Sequence, residues 1–284
     1  MTGLAYTTLI EPRELALLAG AGIEAAVLDC RHDLARPQWG AEAYAESHIP
    51  GAEHAHLDRD LSGPVTSASG RHPLPDPERL RATFSRWGIG PDTQVVAYDQ
   101  ANGALAARLW WLLRFLRHDR VAVLNGGLVA WNAAGLPLTR APTPARPQQS
   151  FTGEPRRDWV ASTADVVAGL ERGMVLIDAR AADRFAGRNE TLDPVAGHVP
   201  GARNHAFVRN VAGGRFLGPV ALRRLWDETL AGSPPEHVVS MCGSGVTACH
   251  NLLAMELAGL PGARLYEGSW SEWVRDRARP VATG

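Results

Sequence analysis

The chain has 284 residues, a hydrophobic content of 45% and a formal net charge of −1. A charge this close to zero gives no global field that would attract nucleic acid or an anionic membrane, so we expect neither as a partner. No apolar stretch reaches the length of a membrane span, the first residues lack the regions of a signal peptide, and three cysteines are too few for a disulfide framework. We therefore expect a cytoplasmic protein.

The sequence contains an internal repeat. Four blocks occur twice, in the same order, at offsets of roughly 140 to 150 residues. The pairs are 27–31 with 176–180, 47–52 with 197–202, 94–99 with 237–242, and 126–131 with 268–273. Residues 141–157 are rich in proline and polar side chains, which is typical of a semi-rigid linker. We predict two homologous domains, 1–140 and 158–284, joined by this linker.

Each half alternates short apolar runs with helical patterns. The predicted strands are 25–29, 94–98 and 121–124 in the first half, and 174–178, 238–241 and 263–266 in the second. The predicted helices are 105–116 and 248–260. This alternation predicts an α/β fold in which each domain has a mainly parallel sheet flanked by helices.

Two equivalent strand ends carry different residues. In parallel sheets, catalytic loops lie at the carboxyl ends of the strands. Asp99 occupies this place in the first half, and Cys242 occupies it in the second. We predict that the second domain carries the chemistry and that the first helps to shape the cleft.

The stretch 238–249 places Cys242 where a buried strand ends and a helix begins. Gly243 and Gly245 allow a tight turn, so that several backbone N–H groups of the loop can point at the sulfur. The N-terminal end of the helix adds partial positive charge. Both effects favour the thiolate, which is the nucleophilic form of cysteine. The alternative is that Cys242 is a small buried apolar residue.

These blocks resemble the two-domain rhodanese family of sulfurtransferases over nearly the whole chain. The motif 242–248, Cys-Gly-Ser-Gly-Val-Thr-Ala, is similar to the active loop of the 3-mercaptopyruvate sulfurtransferases. The sequence His-Ile/Val-Pro-Gly-Ala at 48 and 198, and Gly-Ser-Trp-Ser-Glu-Trp at 268–273, are further marks of the family. Thiosulfate sulfurtransferases carry basic residues just after the cysteine, where this chain has Gly243 and Ser244. The resemblance therefore favours 3-mercaptopyruvate as the sulfur donor.

The resemblance implies a ping-pong reaction that needs no cofactor. Cys242 takes sulfur from a small-molecule donor as a persulfide, and a thiophilic acceptor (cyanide, a thiol or thioredoxin) removes it. The family also implies a serine–histidine–aspartate relay that supplies a proton to the departing pyruvate enolate. Its members match Ser244, His72 and Asp58 in this chain. Each could instead have a local role, in a loop, a turn or a helix cap.

Arginine residues are implied in donor binding. Arg184 matches a family arginine that grips the donor carboxylate, which a guanidinium can do at two points. It could also be a surface arginine ahead of a helix. The family's second arginine has no counterpart, because the segment 187–194 is shorter here, although Arg188 could reach the same anion. The predicted donor-binding set is Arg184, Arg188, Gly243, Gly245, Val246 and Thr247.

Three alternatives to this function stay open. Thiosulfate could be the donor, although a dianion should benefit from cations in the loop. A cysteine phosphatase would need an arginine six residues after the cysteine, and position 248 is alanine. A sulfur carrier that accepts persulfide from another protein would have the same loop.

The remaining distinctive residues are predicted to be structural. Arg31 and Arg180 follow matched aspartates and should pair within their own domains. His48 and His198 occur in both halves, including the half without the nucleophile. The histidines show no ligand-like spacing with cysteines or acids, so we expect no metal site.

Burial is expected for two further groups. Cys249 should lie in the helix that follows the loop, and Cys30 should pack at a strand end. The tryptophans, including Trp110, Trp111 and Trp273, should belong to the core and to the domain interface.

Overall fold

A computed structural model describes residues 5–22 and 25–284. Residues 1–4, at the start of the predicted first domain, lie outside the described residues. The chain divides into two compact units. Unit 1 comprises the chain up to Ser62, Pro75–Pro155 and Gly213–Phe216, and unit 2 comprises Gly63–Leu74, Arg156–Ala212 and Leu217–Gly284. The domain boundaries at 140/141 and 157/158 stay predictions.

Unit 1 contains a five-stranded sheet whose strands all pair in parallel. Its strands, in chain order, are β1 (Leu9–Ile10), β2 (Ala25–Asp29), β3 (Ala52–His54), β4 (Gln94–Tyr98) and β5 (Val121–Leu124). Their order in the sheet is β1-β5-β4-β2-β3. Strand β4 is buried along its whole length, as expected for a central strand covered on both faces.

Unit 2 repeats this plan with a second parallel five-stranded sheet. Its strands are β6 (Val160–Ala161), β7 (Val175–Asp178), β8 (Arg203–Asn204), β11 (Val238–Met241) and β12 (Arg264–Tyr266), in the order β6-β12-β11-β7-β8. Two short strands precede β11 in the chain: β9 (Val211–Ala212) belongs to unit 2, and β10 (Arg215–Phe216) belongs to unit 1. The central strand of this sheet, β11, ends one residue before Cys242.

Helices flank both sheets. In unit 1 they are α1 (Pro12–Gly20), α2 (Trp39–Glu46), α3 (Leu57–Asp60), α4 (Pro77–Arg86), α5 (Ala106–Phe115) and α6 (Gly127–Ala133). In unit 2 they are α7 (Thr163–Leu170), α8 (Ala182–Phe185), α9 (Pro219–Leu230), α10 (Thr247–Leu257) and α11 (Ser269–Trp273). Short 3-10 helices span Arg157–Trp159, Phe207–Asn210 and Pro235–His237. The predicted α/β fold with two flanked parallel sheets is confirmed.

The predicted elements agree closely with the observed ones. The strands at 25–29, 94–98, 121–124 and 238–241 have the predicted bounds, and those beginning at 174 and 263 begin one residue later. The two predicted helices are α5 and α10, the latter ending at Leu257 instead of 260. Gly259, with a φ of +70°, follows the last turn of α10 and ends the regular helix.

Buried aspartate–arginine pairs fix the same place in both units. Arg31 forms a 2.6 Å ion pair with Asp29, and Arg180 forms one of 2.7 Å with Asp178. All four side chains are at most 4% exposed. Because a guanidinium fork matches a carboxylate at two points, each pair fixes the backbone at a strand end. The predicted structural pairing is confirmed.

The repeated histidines also have matching surroundings. The Nδ1 atom of His48 lies 2.8 Å from the carbonyl oxygen of Tyr44, and that of His198 lies 2.8 Å from the carbonyl oxygen of Phe185. Each imidazole stacks on the ring of the same residue, with centroids 4.0 and 3.8 Å apart. Both are buried, as a structural role requires.

Residues of the predicted linker pack within unit 1. Phe151 is 8% exposed and its ring centroid lies 5.1 Å from that of Phe84. The backbone N–H of Phe151 donates to the Oγ of Ser85 at 3.1 Å. This stretch therefore has fixed contacts of its own, although it contains neither helix nor strand until Arg157.

The predicted buried residues lie in the cores of their units. Cys30 and Cys249 are buried, as are Trp110, Trp111 and Trp273. Across residues 5–22 and 25–284, none of the helices combines the length and apolar character needed to span a bilayer.

Candidate active site

Cys242 lies in the loop between β11 and α10. Its sulfur accepts hydrogen bonds from the backbone N–H groups of Ser244 at 3.4 Å and Gly245 at 3.1 Å. Such donors stabilise negative charge on the sulfur. Among the described contacts, the N–H groups of Val246 and Thr247 donate no hydrogen bond to the sulfur.

The turn depends on a glycine. Gly245 adopts a φ of +80°, a conformation that glycine reaches without a steric penalty. A Cβ at this position would lie 2.4 Å from the carbonyl oxygen of Glu267, so any side chain would collide with the backbone. The close approach brings the loop against the segment that precedes α11.

The start of α11 holds the loop from the other side. Ser269 accepts the N–H of Cys242 on its Oγ at 3.1 Å and donates to the carbonyl oxygen of Tyr266 at 2.9 Å. The N–H groups of Trp270 and Ser271 donate to the carbonyl oxygens of Cys242 and Gly243, at 3.0 and 2.9 Å. Ser269 has a φ of +52°, which is strained for a residue with a side chain. The sequence interpretation did not assign a role to Ser269.

Ser244 and His72 are in contact within unit 2. The Oγ of Ser244 lies 2.7 Å from Nδ1 of His72, and both residues are 5% exposed. His72 belongs to the segment 63–74, which comes from the first half of the chain but groups with unit 2. The N–H of Leu74 donates to Oε2 of Glu267 at 2.9 Å, which helps to fix this segment.

Asp58 lies in unit 1, in helix α3. It is exposed, and its backbone N–H donates to Nδ1 of His56 at 3.2 Å. Its place in the relay stays a prediction. The ligand-type atoms of His32, His56 and Asp58 lie within 4.8 Å of one another, a grouping that sequence spacing did not indicate. The expectation that the protein has no metal site also stays a prediction.

Arg184 is oriented by two buried carboxylates. Its Nη2 and Nε atoms donate to Glu190, the shortest contact being 2.7 Å, and Nη2 also lies 3.5 Å from Asp193. The Arg184 side chain is 20% exposed, whereas those of Glu190 and Asp193 are 1% and 2% exposed. The carboxylates therefore fix the guanidinium while leaving part of it accessible.

A second arginine, Arg71, lies beside the same loop. Its Nη1 atom donates to Asp193, and its side chain is 26% exposed. A Cβ built on Gly243 would lie 2.9 Å from Nη2 of Arg71 and 3.7 Å from Nη2 of Arg184. The sequence interpretation missed Arg71 as a site residue, although it precedes His72 directly. Arg188 is exposed, and its N–H donates to the carbonyl oxygen of Asp183 at 2.9 Å.

The two acids of this cluster have opposite pKa shifts. Burial raises the pKa of Glu190, but hydrogen bonds and charge from Arg184 and N–H groups of its own loop outweigh burial, so the pKa is lowered. Burial also raises the pKa of Asp193, and the neighbouring Glu190 raises it further. Arg71 and Arg184 lower the pKa of Asp193 only in part, so it stays above the ordinary value.

Comparison with known proteins places this site in a family. The sequence profile of the rhodanese-like domain matches residues 11–134 and 162–276. A protein of Pseudomonas aeruginosa called "Probable 3-mercaptopyruvate sulfurtransferase" is 52% identical over 262 residues, which are 91% of this chain and 92% of that protein. The rat thiosulfate sulfurtransferase is 34% identical over 248 residues, covering 84% and 80% of the two chains.

A solved structure supports the same assignment. The 3-mercaptopyruvate sulfurtransferase from Leishmania major superposes with a TM-score of 0.81 at 30% sequence identity. The match covers 94% of this chain and 74% of that one. Two profile matches, relatives of nearly full coverage and the two repeated sheets agree, and the chain belongs to the rhodanese family of sulfurtransferases.

Proposed function

We propose that this enzyme takes sulfur from 3-mercaptopyruvate and passes it to a thiophilic acceptor through a persulfide on Cys242. The observation that carries the proposal is the buried contact of 2.7 Å between His72 and Ser244, the residue two positions after Cys242. This contact suits a donor whose leaving group needs a proton. The 52% identical relative, which is named for this donor, supports the same choice.

In the first step the Cys242 thiolate attacks the thiol sulfur of 3-mercaptopyruvate. The new S–S bond forms as the C–S bond breaks, and the electron pair of the C–S bond passes to the pyruvate enolate. The enolate carbon takes a proton through Ser244 and His72 and becomes the methyl group of pyruvate. The donor thiol loses its proton, so the enzyme holds a persulfide anion and total charge is conserved.

In the second step the acceptor attacks the outer sulfur. The S–S bond breaks, its electron pair returns to Cys242, and the acceptor leaves with the sulfur; cyanide leaves as thiocyanate. The backbone N–H groups of Ser244 and Gly245 are placed to stabilise the sulfur anion at both stages. Thioredoxin as the acceptor and a cytoplasmic location belong to this proposal on the strength of the sequence.

The donor carboxylate is assigned to Arg184. Its guanidinium is held by Glu190 and lies near Gly243, next to the nucleophile. A fixed guanidinium binds a carboxylate with little loss of conformational freedom. Contributions of Arg188, Val246 and Thr247 to donor binding, and of Asp58 to the relay, remain parts of the proposal that rest on the sequence.

Thiosulfate is the second candidate donor. The neutral loop residues argued against a dianion, but Arg71 and Arg184 bring two cations close to Gly243. The cations that the sequence of the loop lacks are thus supplied by other segments. The rat relative, which is named for thiosulfate, also keeps this candidate open.

The test is cyanide-dependent thiocyanate formation with 3-mercaptopyruvate and thiosulfate side by side, comparing kcat/KM. We expect a preference for 3-mercaptopyruvate of tenfold or more, which is about 1.4 kcal/mol of transition-state stabilisation. The reverse preference would select thiosulfate. Negligible turnover with both donors, together with rapid persulfide transfer from a protein donor, would indicate a sulfur carrier.

A further inference from the structure

Arg71 reaches the site on a segment that is fixed to unit 2. Its backbone N–H donates to the Oγ of Ser271 at 3.0 Å. On one side of it, Arg275 donates through Nε to the carbonyl oxygen of Ser69 at 3.3 Å; on the other side, Leu74 donates to Glu267. The backbone that carries Arg71 is therefore anchored to the same α11 region that holds the Cys242 loop.

The absence of a side chain at Gly243 makes room for this arginine. The nearest atom to a Cβ built on Gly243 is Nη2 of Arg71, at 2.9 Å. Real Cβ atoms essentially never approach another atom so closely, so an alanine at this position would displace the guanidinium. The cation beside the nucleophile thus depends on the glycine that follows it.

Both arginines keep donors free on the side of the loop. Arg71 uses Nη1 for Asp193, and Arg184 uses Nε and Nη2 for the acids. Nη2 of Arg71 and Nη1 of Arg184 have no protein acceptor among the described residues, and each lies within 4 Å of the position of a Cβ on Gly243. A guanidinium has five N–H donors, so pairing with the acids leaves several for a ligand.

We infer that Arg71 is a specificity-determining residue of the donor site, which binds the anionic group of the sulfur donor together with Arg184. The inference rests on the proposed function, since it names the group that receives the donor's charge. Arg71 supplies the second cation that the shorter segment 187–194 does not. The shared ligand chemistry is an oxyanion, either the carboxylate of 3-mercaptopyruvate or the sulfonate-like end of thiosulfate.

The first experiment measures KM and kcat of Arg71→Met with both donors. We expect KM for the preferred donor to rise about 10- to 50-fold with kcat changed less than about threefold, as loss of a bidentate charged contact predicts. Arg71→Lys should recover part of the loss. Arg224→Met, on the exposed face of α9, removes the same charge from an 85% exposed side chain and should leave KM unchanged.

A double-mutant cycle tests whether the glycine acts through Arg71. Gly243→Ala should raise KM in the wild-type background but add little in the Arg71→Met background, because the displaced group is already absent. An unchanged KM in Arg71→Met, or a Gly243→Ala effect on KM of the same size in both backgrounds, would overturn the inference.

A readout without turnover separates this inference from the proposed function. Alkylation of Cys242 by anionic iodoacetate and neutral iodoacetamide is followed by mass spectrometry. We expect Arg71→Met to slow alkylation by iodoacetate about tenfold relative to alkylation by iodoacetamide. Equal changes for both reagents would overturn the role of Arg71 in anion binding. The wild-type protein could turn over neither donor while Arg71→Met still slows alkylation by iodoacetate relative to iodoacetamide. In that case the proposed donor is wrong and the anion site is supported.

Discussion

The loop after β4 and the loop after β11 have the same place in the two units, but they hold different groups. In unit 1 the carboxylate of Asp99 accepts four backbone N–H groups at 2.9–3.2 Å, from Ala101, Gly103, Leu105 and Ala106. In unit 2 the sulfur of Cys242 accepts two from the described residues, Ser244 and Gly245. Burial raises the pKa of Asp99 although all four donors lower it. Both loops thus direct backbone N–H groups at a buried acceptor, and the acceptor is a sulfur in unit 2 alone.

Both loops are held by an equivalent backbone hydrogen bond, but the residue before the donor differs between the two units. Leu128 donates its N–H to the carbonyl oxygen of Asp99 at 2.9 Å, as Trp270 does to that of Cys242 at 3.0 Å. Just before these residues, Gly127 has a φ of +56° and Ser269 has a φ of +52°. The serine costs about 1–2 kcal/mol of backbone strain that the glycine avoids. The frame is therefore common to both units, whereas the loop of unit 2 is held in addition by the Ser269 hydroxyl, which accepts the N–H of Cys242.

Exchanging the acceptor groups of the two loops should have the largest effect. Cys242→Ser should lower sulfur transfer more than about 1,000-fold while the protein stays folded, because the nucleophile is lost. Adding Asp99→Cys should restore nothing, since a cradle alone lacks the serine and the arginines of unit 2. Persulfide mass spectrometry and circular dichroism check both variants. Retained turnover in folded Cys242→Ser would remove Cys242 as the nucleophile.

A buried histidine is linked by hydrogen bonds to helix α10, which follows the Cys242 loop, and low pH should protonate it. Helix α10 carries Asn251, which is bonded through Asn210 to His205, a residue with no exposed surface. Burial lowers the pKa of His205 to about 4. Between pH 6.5 and 4 the unfolded chain therefore binds a proton that the folded chain does not, so stability falls as pH falls.

We expect this histidine to account for a loss of about 3 kcal/mol in the free energy of unfolding, complete near pH 4. Denaturant unfolding at pH 7 and 4.5 measures the loss. His205→Gln should show a shallower pH dependence, whereas His237→Gln, which changes an exposed histidine, should match the wild type. Equal slopes in all three proteins would contradict the assignment.

The relay serine is a further difference between the two loops, because unit 1 has Ala101 where unit 2 has Ser244. Ser244→Ala and His72→Asn should each lower kcat with 3-mercaptopyruvate about 100-fold, since the enolate then leaves without a proton donor. With thiosulfate the effect should be much smaller, because sulfite leaves without protonation. A similar loss with both donors would point to a structural role of the pair.

The smallest expected effect concerns the strained serine. Ser269→Gly removes the hydroxyl but suits a φ of +52°, whereas Ser269→Ala removes the hydroxyl and keeps the strain. Both should lower kcat about tenfold, or ~1.4 kcal/mol, through a less fixed Cys242 N–H. Only the alanine variant should also have a lower melting temperature. Wild-type kcat in both variants would show that the hydroxyl does not position the loop.

Much of the fold follows from local pattern. Four central strands have the predicted bounds because short apolar runs of this length, in alternation with helices, suit only a buried parallel sheet. The Asp–Arg pairs lie within the repeated sequence blocks. Because the two partners are only two residues apart, each pair could be predicted from the sequence. The position of Cys242 followed equally from the strand pattern and the two glycines.

The surroundings of Cys242 depend on the tertiary structure. Arg71 and His72 come from the first half of the chain, yet the segment that carries them groups with unit 2. Repeat matching assigned this segment to the first domain, and only the family resemblance linked His72 to Ser244. Neither of the two pointed to Arg71 beside Gly243.

Two parallel α/β units and a cysteine at a strand end could be predicted from the sequence alone, because these features depend on periodicity and on neighbours along the chain. Tertiary structure decided which charges face that cysteine. Guanidinium groups reach several ångströms from their own backbone, and the contacts of Arg71 are with residues more than a hundred positions away. Sequence spacing carries no record of such contacts, and only the folded chain brings the two arginines to one loop.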